Sequence, residues 1–401
     1  MKKFITHWTF AFVTLVALTF YGLQEPFVKE ILKLKSFDML IQQEEQSLSP
    51  DIGIVTIDEK SIEKYGQWPW KRDVLAEVIT NLRSSGAGVI VLPILFSEED
   101  RMGGDDILAQ TITDNGVVIA QVGTSQVNKN SVPRGVAKIG NPLPYLFEWE
   151  GMLGPISKLG QSASGVGVIN TAPEIDGVVR RIPLIMRIGE ETYPTIALEV
   201  IRVATGNPSY QVKAGDGGVQ AVRVPGFPII STDPNARIWL RWNKTFETIS
   251  ASSDDFSKFE GRTVIIGTTA EGLTSIIATP VGEKYDYMLS ASTLQTMIDG
   301  KQINRYDISS FLELVLSVIL GLTVILICRF TPYWFVGLSL VFLYSASVFG
   351  SKFLFDKYLI LSDVSWIIIV ITIVGMHSIF NRFILEFRLK QQIRKQFETY
   401  L

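Results

Sequence analysis

Apolar and polar positions separate along this chain into four long apolar runs and one long mixed segment. The runs cover residues 4–23, 311–328, 332–350 and 359–380. The first and third are uncharged, the second carries Glu313 near its start, and the fourth carries Asp363. A membrane-spanning helix needs about 20 mostly apolar residues. The pattern therefore predicts four spanning helices, one before the mixed segment and three after it. The first run is longer than the core of a signal peptide, and no small-residue cleavage site follows at residues 21–26, so it reads as an uncleaved anchor.

Basic residues in short flanks set the orientation of such helices. Lys2 and Lys3 precede the first run, Arg329 lies between the second and third, and Arg382, Arg388, Lys390, Arg394 and Lys395 follow the fourth. Threading four helices puts all of them on one side, which is then the cytoplasm. Lys352 and Lys357, set against Asp356, are the contrary signal in the opposite joint. The expected layout has residues 1–24 as cytoplasmic N-terminus and first helix, and 25–307 as an extracytoplasmic domain. Residues 308–380 form the three later helices, and 381–401 a cytoplasmic coupling helix. The location implied is the inner (plasma) membrane.

The mixed segment alternates two periodicities. Residues 51–58 read as a buried strand ending in acids, 73–85 as a helix with apolar positions at Val74, Leu75, Val78, Ile79 and Leu82, and 88–96 as a second buried strand. Pro93 interrupts that second strand, since proline cannot donate to the ladder. A helix at 105–114 and a strand at 116–122 follow. Strands alternating with helices predict an α/β fold with a mainly parallel sheet. Residues 123–163, rich in Gly, Pro, Ser and Asn, read as loop. Strand-like stretches at 165–169 and 178–187 flank Asp176-Gly177, a tight-turn signal that predicts a hairpin. A helix at 194–204, turns at 206–236, strands at 237–242 and 263–267, and a closing helix at 289–298 complete the pattern.

Composition narrows the chemistry. Charged residues make up 19% of the 401 and hydrophobic ones 47%, against about 25% charge in a soluble domain. Mean hydropathy is +0.26. The net charge of -3 gives no nucleic-acid footprint. The only cysteine, Cys328, and both histidines, His7 and His377, fall in or beside apolar runs. A histidine-based triad, a Cys-His pair or a multi-thiolate zinc site cannot be built in the mixed segment. No catalytic residue, metal site or cofactor is expected within this chain.

Several stretches recur in this order in one known family. They are Ile54 to Asp58, Trp68-Pro69-Trp70-Lys71-Arg72, residues 94–98, residues 176–183 (DGVVRRIP), residues 195–199 (TIALE) and residues 261–270 (GRTVIIGTTA). Over roughly residues 30–303 the chain resembles the type-two CHASE sensory domain, an extracellular module of bacterial signalling receptors, and the layout of one helix before and three after matches too. The resemblance implies an extracytoplasmic sensor feeding a cytoplasmic output, either a nucleotide cyclase or a protein kinase. Residues 392–401 look like the opening of a class III adenylate or guanylate cyclase domain, whose catalytic residues are absent here. Cyclase sites of that class form between two catalytic domains, so the resemblance also implies a homodimer. The sequence departs from the family pattern at Pro93, where an aspartate is frequent, and at Met288 and Ser290, where Glu and His are frequent.

Ligands of open α/β sheets bind beyond the carboxyl ends of the strands. Asp58 and Glu59 end one core strand, and Thr268 and Thr269 end another, so these four, with Arg180 as an anion partner, are the candidate ligand contacts. Arg180 and Arg181 point to opposite faces of an extended strand, so at most one faces a pocket. Trp68 and Trp70 suit a packed turn. Glu98, Glu99, Asp100, Asp105 and Asp106 read as a solvated acidic loop, without the calcium-loop spacing. The tail has five basic and two acidic residues, with an uneven apolar stripe at Phe383, Phe387, Leu389, Ile393 and Phe397. A membrane-surface helix and a helix paired across a dimer both fit it. The leading expectation is a sensory receptor input that detects an unknown extracytoplasmic ligand. The alternative is a membrane-anchored structural or partner-binding protein.

Overall fold

The computed structural model describes residues 9–399; Lys2, Lys3, His7 and Leu401, and the side chain of Phe397, lie outside the described residues. The chain divides into two units, one of residues 1–43 with 304–401 and one of residues 44–303. The division falls inside the 25–307 segment expected from the sequence.

In the first unit, α1 (Phe10–Leu23) and α2 (Phe27–Ile41) are separated at Pro26 and bent by 79°. Proline pushes the residue before it out of the helical region, and Glu25 sits at φ 43°. The helix α2 has no apolar run and escaped the sequence reading.

The second unit begins with β1 (Ser47–Ile57), α3 (Glu59–Tyr65), α4 (Arg72–Ser84), β2 (Ile90–Leu92), α5 (Asp105–Ile112) and β3 (Val117–Thr124). Then come β4 (Val136–Ile139), β5 (Phe147–Glu148), β6 (Gly151–Leu153), α6 (Ser157–Ser162) and β7 (Gly165–Val168). Next are β8 (Arg181–Pro183), β9 (Ile185–Ile188), β10 (Glu191–Pro194), α7 (Ile196–Ala204), β11 (Tyr210–Gly215), β12 (Gly218–Arg223) and β13 (Ile230–Ser231). The unit closes with β14 (Arg237–Trp239), β15 (Lys244–Ser250), β16 (Thr263–Thr268), β17 (Ile276–Thr279), β18 (Gly282–Tyr285) and α8 (Tyr287–Ile298).

The central sheet runs β15-β1-β16-β2-β3, with β7 also on β3, and every one of these ladders is parallel. Only β6 joins antiparallel, at the end of β3. The mainly parallel α/β sheet read from the sequence is therefore the observed one. Alternate residues of each strand face opposite layers. Val55, Ile57, Val264 and Ile266 pack with Leu75, Ile79 and Leu82 of α4, and with Leu108 and Ile112 of α5. The other face carries α7 and α8. Gly167 permits this: a Cβ there would lie 2.3 Å from the Ile196 Cα.

Three expectations are corrected. The strand across Pro93 is short, ending at Leu92, because β2 is a central strand and its ladder tolerates no residue without an N–H. No hairpin forms at Asp176-Gly177: the turn is present, with the Gly177 N–H donating to the Glu174 carbonyl, but β7 pairs with β3 and β8 with β14. Residues 123–163 contain β4, β5, β6 and α6, and residues 206–236 contain the hairpin β11–β12, closed at Asp216-Gly217.

The first unit continues with α9 (Ser309–Phe330), α10 (Tyr333–Tyr358) and α11 (Ser365–Thr399). These three are long and apolar enough to cross a membrane; the bent pair α1 and α2 would count as a fourth only if taken as one span. The core of this unit is Ala11 and Leu15 of α1 with Val324, Ile325, Ile367, Val370, Ile371 and Val374. Gly321 lets Leu15 approach, since a Cβ there would meet Leu15 Cδ1 at 2.5 Å. His377 is absorbed structurally, 2.7 Å from the Thr14 hydroxyl and edge-on to Phe10. Arg382 donates to the carbonyls of Cys328 and Thr331, satisfying the C-terminal end of α9.

Candidate ligand-binding site

Parallel strands put their carboxyl ends on one edge. The register Ile57↔Thr268 therefore brings Asp58 and Glu59 beside Thr268 and Thr269. Several of their polar atoms are already engaged there. Asp58 is the N-cap of α3: its Oδ1 accepts from the Ser61 N–H at 2.9 Å, the Ser61 hydroxyl at 2.7 Å and the Ser250 hydroxyl at 2.7 Å. Partial burial opposes its charge, yet the hydrogen bonds from Ser61 and Ser250 outweigh that and hold the carboxyl below its ordinary range. Glu59 accepts from the Glu271 N–H at 3.0 Å. The N–H groups of Thr269 and Ala270 donate to the Ile57 carbonyl, and the Thr268 hydroxyl donates to the Leu273 carbonyl at 3.3 Å. The edge is a stapled pair of loops.

Arg180 is not brought to this edge by any contact described. It is fully buried and holds Asp176 through two hydrogen bonds of 2.7 and 2.8 Å. Arg181 grips Glu174 at 2.6 and 2.8 Å and lies over the Trp239 ring. Burial works against the Glu174 charge, and Arg181 overcomes it, so that carboxyl also lies below its ordinary range. The alternation that separates the two arginines sends each to its own acid.

The acidic loop is not simply solvated. Arg72 is buried and draws it in, through an ion pair with Asp105, a bond to the Glu98 carbonyl, and its backbone N–H on Asp100 at 2.9 Å. Arg72 also lies over the Phe96 ring. Sequence reading missed this anchor, although its place at the end of the Trp68–Arg72 turn was a signal. Trp70 is buried and donates to the Gly66 carbonyl, with Tyr65 and Trp68 edge-on to it. A cleft of about 500 Å³ opens there, walled by Trp68, Trp70 and Phe96 and rimmed by Glu98 and Glu99. It lies beyond the carboxyl end of β2, on the edge that carries Asp58. Arg72, Asp100 and Arg101 line it as well, so three aromatic rings stand beside charged groups of both signs.

Glu199 and Arg202 form a further buried pair, at 2.7 and 3.0 Å, and Arg134 adds a third member at 3.3 Å. Gly165 leaves room for it: a Cβ there would meet the Glu199 Cγ at 2.6 Å.

These features define a parallel α/β domain carried in one chain with span-length apolar helices. The chain belongs to the CHASE2 domain family, a family of sensory domains, whose model matches residues 10–328. The match reaches beyond the 30–303 of the sequence resemblance, from α1 into α9. No curated protein and no solved structure shows a significant match to the chain.

Proposed function

We propose that this chain is the input portion of a transmembrane sensory receptor. The α/β unit meets a signal outside the cytoplasm, four membrane helices anchor it in the inner membrane, and a cytoplasmic output, a class III nucleotide cyclase beyond Leu401, receives it. The chain performs no catalysis of its own in this reading and binds no nucleic acid. One observation carries it: a CHASE2-family domain shares its chain with three span-length helices, and the last, α11, runs unbroken for 35 residues into a basic tail. The ligand site is assigned to the carboxyl edge, in the cleft between Trp68 and Phe96, with Asp58, Glu59, Thr268 and Thr269 shaping the neighbouring loops. Arg180 is left out because Asp176 engages its guanidinium.

A signal outside acts inside only by biasing two arrangements of the helices. Phe383, Phe387 and Ile393 are exposed along α11, with the two phenylalanine rings stacked. A homodimer pairing these stripes supplies such arrangements. Single cysteines at 383–396, in a Cys328→Ala background, test it by disulfide cross-linking in membranes. A helical periodicity of cross-linking is expected. Uniform cross-linking, or none at any position, contradicts the paired tail.

A further inference from the structure

Within the helical unit, a cavity of about 550 Å³ lies between α9, α10 and the segment that leads into α11. Its walls are mostly apolar, with Leu312, Leu316, Leu354 and Ile367 among them, and Asp363 and Glu313 stand at its lining. The two carboxylates differ in how they are satisfied. Glu313 is clamped by both arms of Arg305, each at 2.9 Å, and also accepts the Asp363 N–H at 2.6 Å. Asp363 is 1% exposed. Its Oδ1 accepts the Ser365 N–H and hydroxyl, while its Oδ2 has no hydrogen-bond partner among the described residues. The nearby serines do not supply one: Ser351 and Ser362 bond to each other.

Buried polar atoms in folded proteins almost always have partners, and an ionisable side chain at the end of a span-length helix that lacks one is a candidate site. One guanidinium thus serves two carboxylates: Arg305 bonds Glu313 and its charge also reaches Asp363, which leaves Asp363 Oδ2 without a donor beside an apolar cavity. We propose that this cavity binds a cationic amphiphile, with an alkylammonium headgroup donating to Asp363 Oδ2 and its chain lying along Leu312, Leu316 and Leu354. An ammonium group supplies both missing elements, a positive charge and a donor. An alcohol supplies only the donor, and a fatty carboxylate repels. Two sources offer this chemistry: an amino-headgroup phospholipid of the bilayer, or a free long-chain amine.

The test uses the full chain in maltoside micelles, titrated with dodecylamine, dodecanol and dodecanoate at neutral pH, with the thermal midpoint as readout. Dodecylamine is expected to raise the midpoint at a concentration about tenfold lower than dodecanol, in keeping with one charged hydrogen bond. Dodecanoate is expected to have no effect. Asp363→Asn should abolish the preference for the amine. Leu354→Trp, which keeps the carboxylate and fills the cavity, should abolish the response altogether. Equal responses to amine, alcohol and carboxylate in the wild-type chain overturn the proposal. So does an undiminished amine preference in Asp363→Asn, or a wild-type response in Leu354→Trp. Native mass spectrometry from bilayer discs holding phosphatidylethanolamine and phosphatidylglycerol separates the sources. Retention of the ethanolamine lipid assigns the site to the bilayer, and an amine response without that retention assigns it to a free amphiphile.

Discussion

Asp58 shows how one side chain is read two ways. Its position after a core strand marks it as a ligand contact, and its three hydrogen bonds make it a cap. Removing a capping aspartate costs about 1 kcal/mol, so Asp58→Ala should lower the thermal midpoint of the full chain. The carboxyl is held below its ordinary range in the folded state. Its contribution is therefore fully present above the unfolded carboxylate range, about pH 4, and is lost as pH falls through the lower folded value. The gap between wild type and Asp58→Ala should narrow in acid; a gap that widens there contradicts the assignment. At this scale the sequence was legible for type and position but not for partner. Asp58 and Thr268 meet because β1 and β16 are neighbours, a pairing across some 200 residues that no local pattern encodes. Arg180 looked available for an anion because Asp176, four residues away, was read only as a turn former. Arg72 went unnoticed because its acids lie on another loop.

Elements with strong periodicity were read closely. The helix α4 shows its apolar stripe in the sequence, and β16 and residues 52–57 of β1 are short, mostly apolar runs bounded by polar residues. Elements defined by distant partners were not. The strands β5 and β6 have two and three residues and exist because β9 and β3 pair with them. Asp176-Gly177 and Asp216-Gly217 carry the same local turn signal, yet of these two only Asp216-Gly217 joins strands that pair with each other. At Asp176-Gly177 the flanking strands find better partners elsewhere. The close contact of β7 with α7 predicts an outcome at this scale. Gly167→Ala places a methyl group against the Ile196 backbone, which cannot retreat without moving the helix. Overpacking of this kind costs about 1–3 kcal/mol. Gly135→Ala, with open space around it, should be near neutral. Equal thermal midpoints for the two variants contradict the packing of α7 on β7.

For the whole molecule, the proposed receptor role requires the α/β unit and the tail of α11 to lie on opposite sides of a membrane. The apolar runs and the basic flanks were plain in the sequence, since lipid imposes length and charge rules that act locally. The bend at Pro26 was not, because it depends on a helix of mixed character beyond it. Labelling with a membrane-impermeant maleimide measures that placement directly. Gly217 stands at an exposed turn with space for a side chain, and Gln392 is exposed on α11. In a Cys328→Ala background, Gly217→Cys should react on cells whose cytoplasmic membrane is intact, and Gln392→Cys only after permeabilisation. Labelling of both from the same side, or of Gln392→Cys alone from outside, contradicts the account.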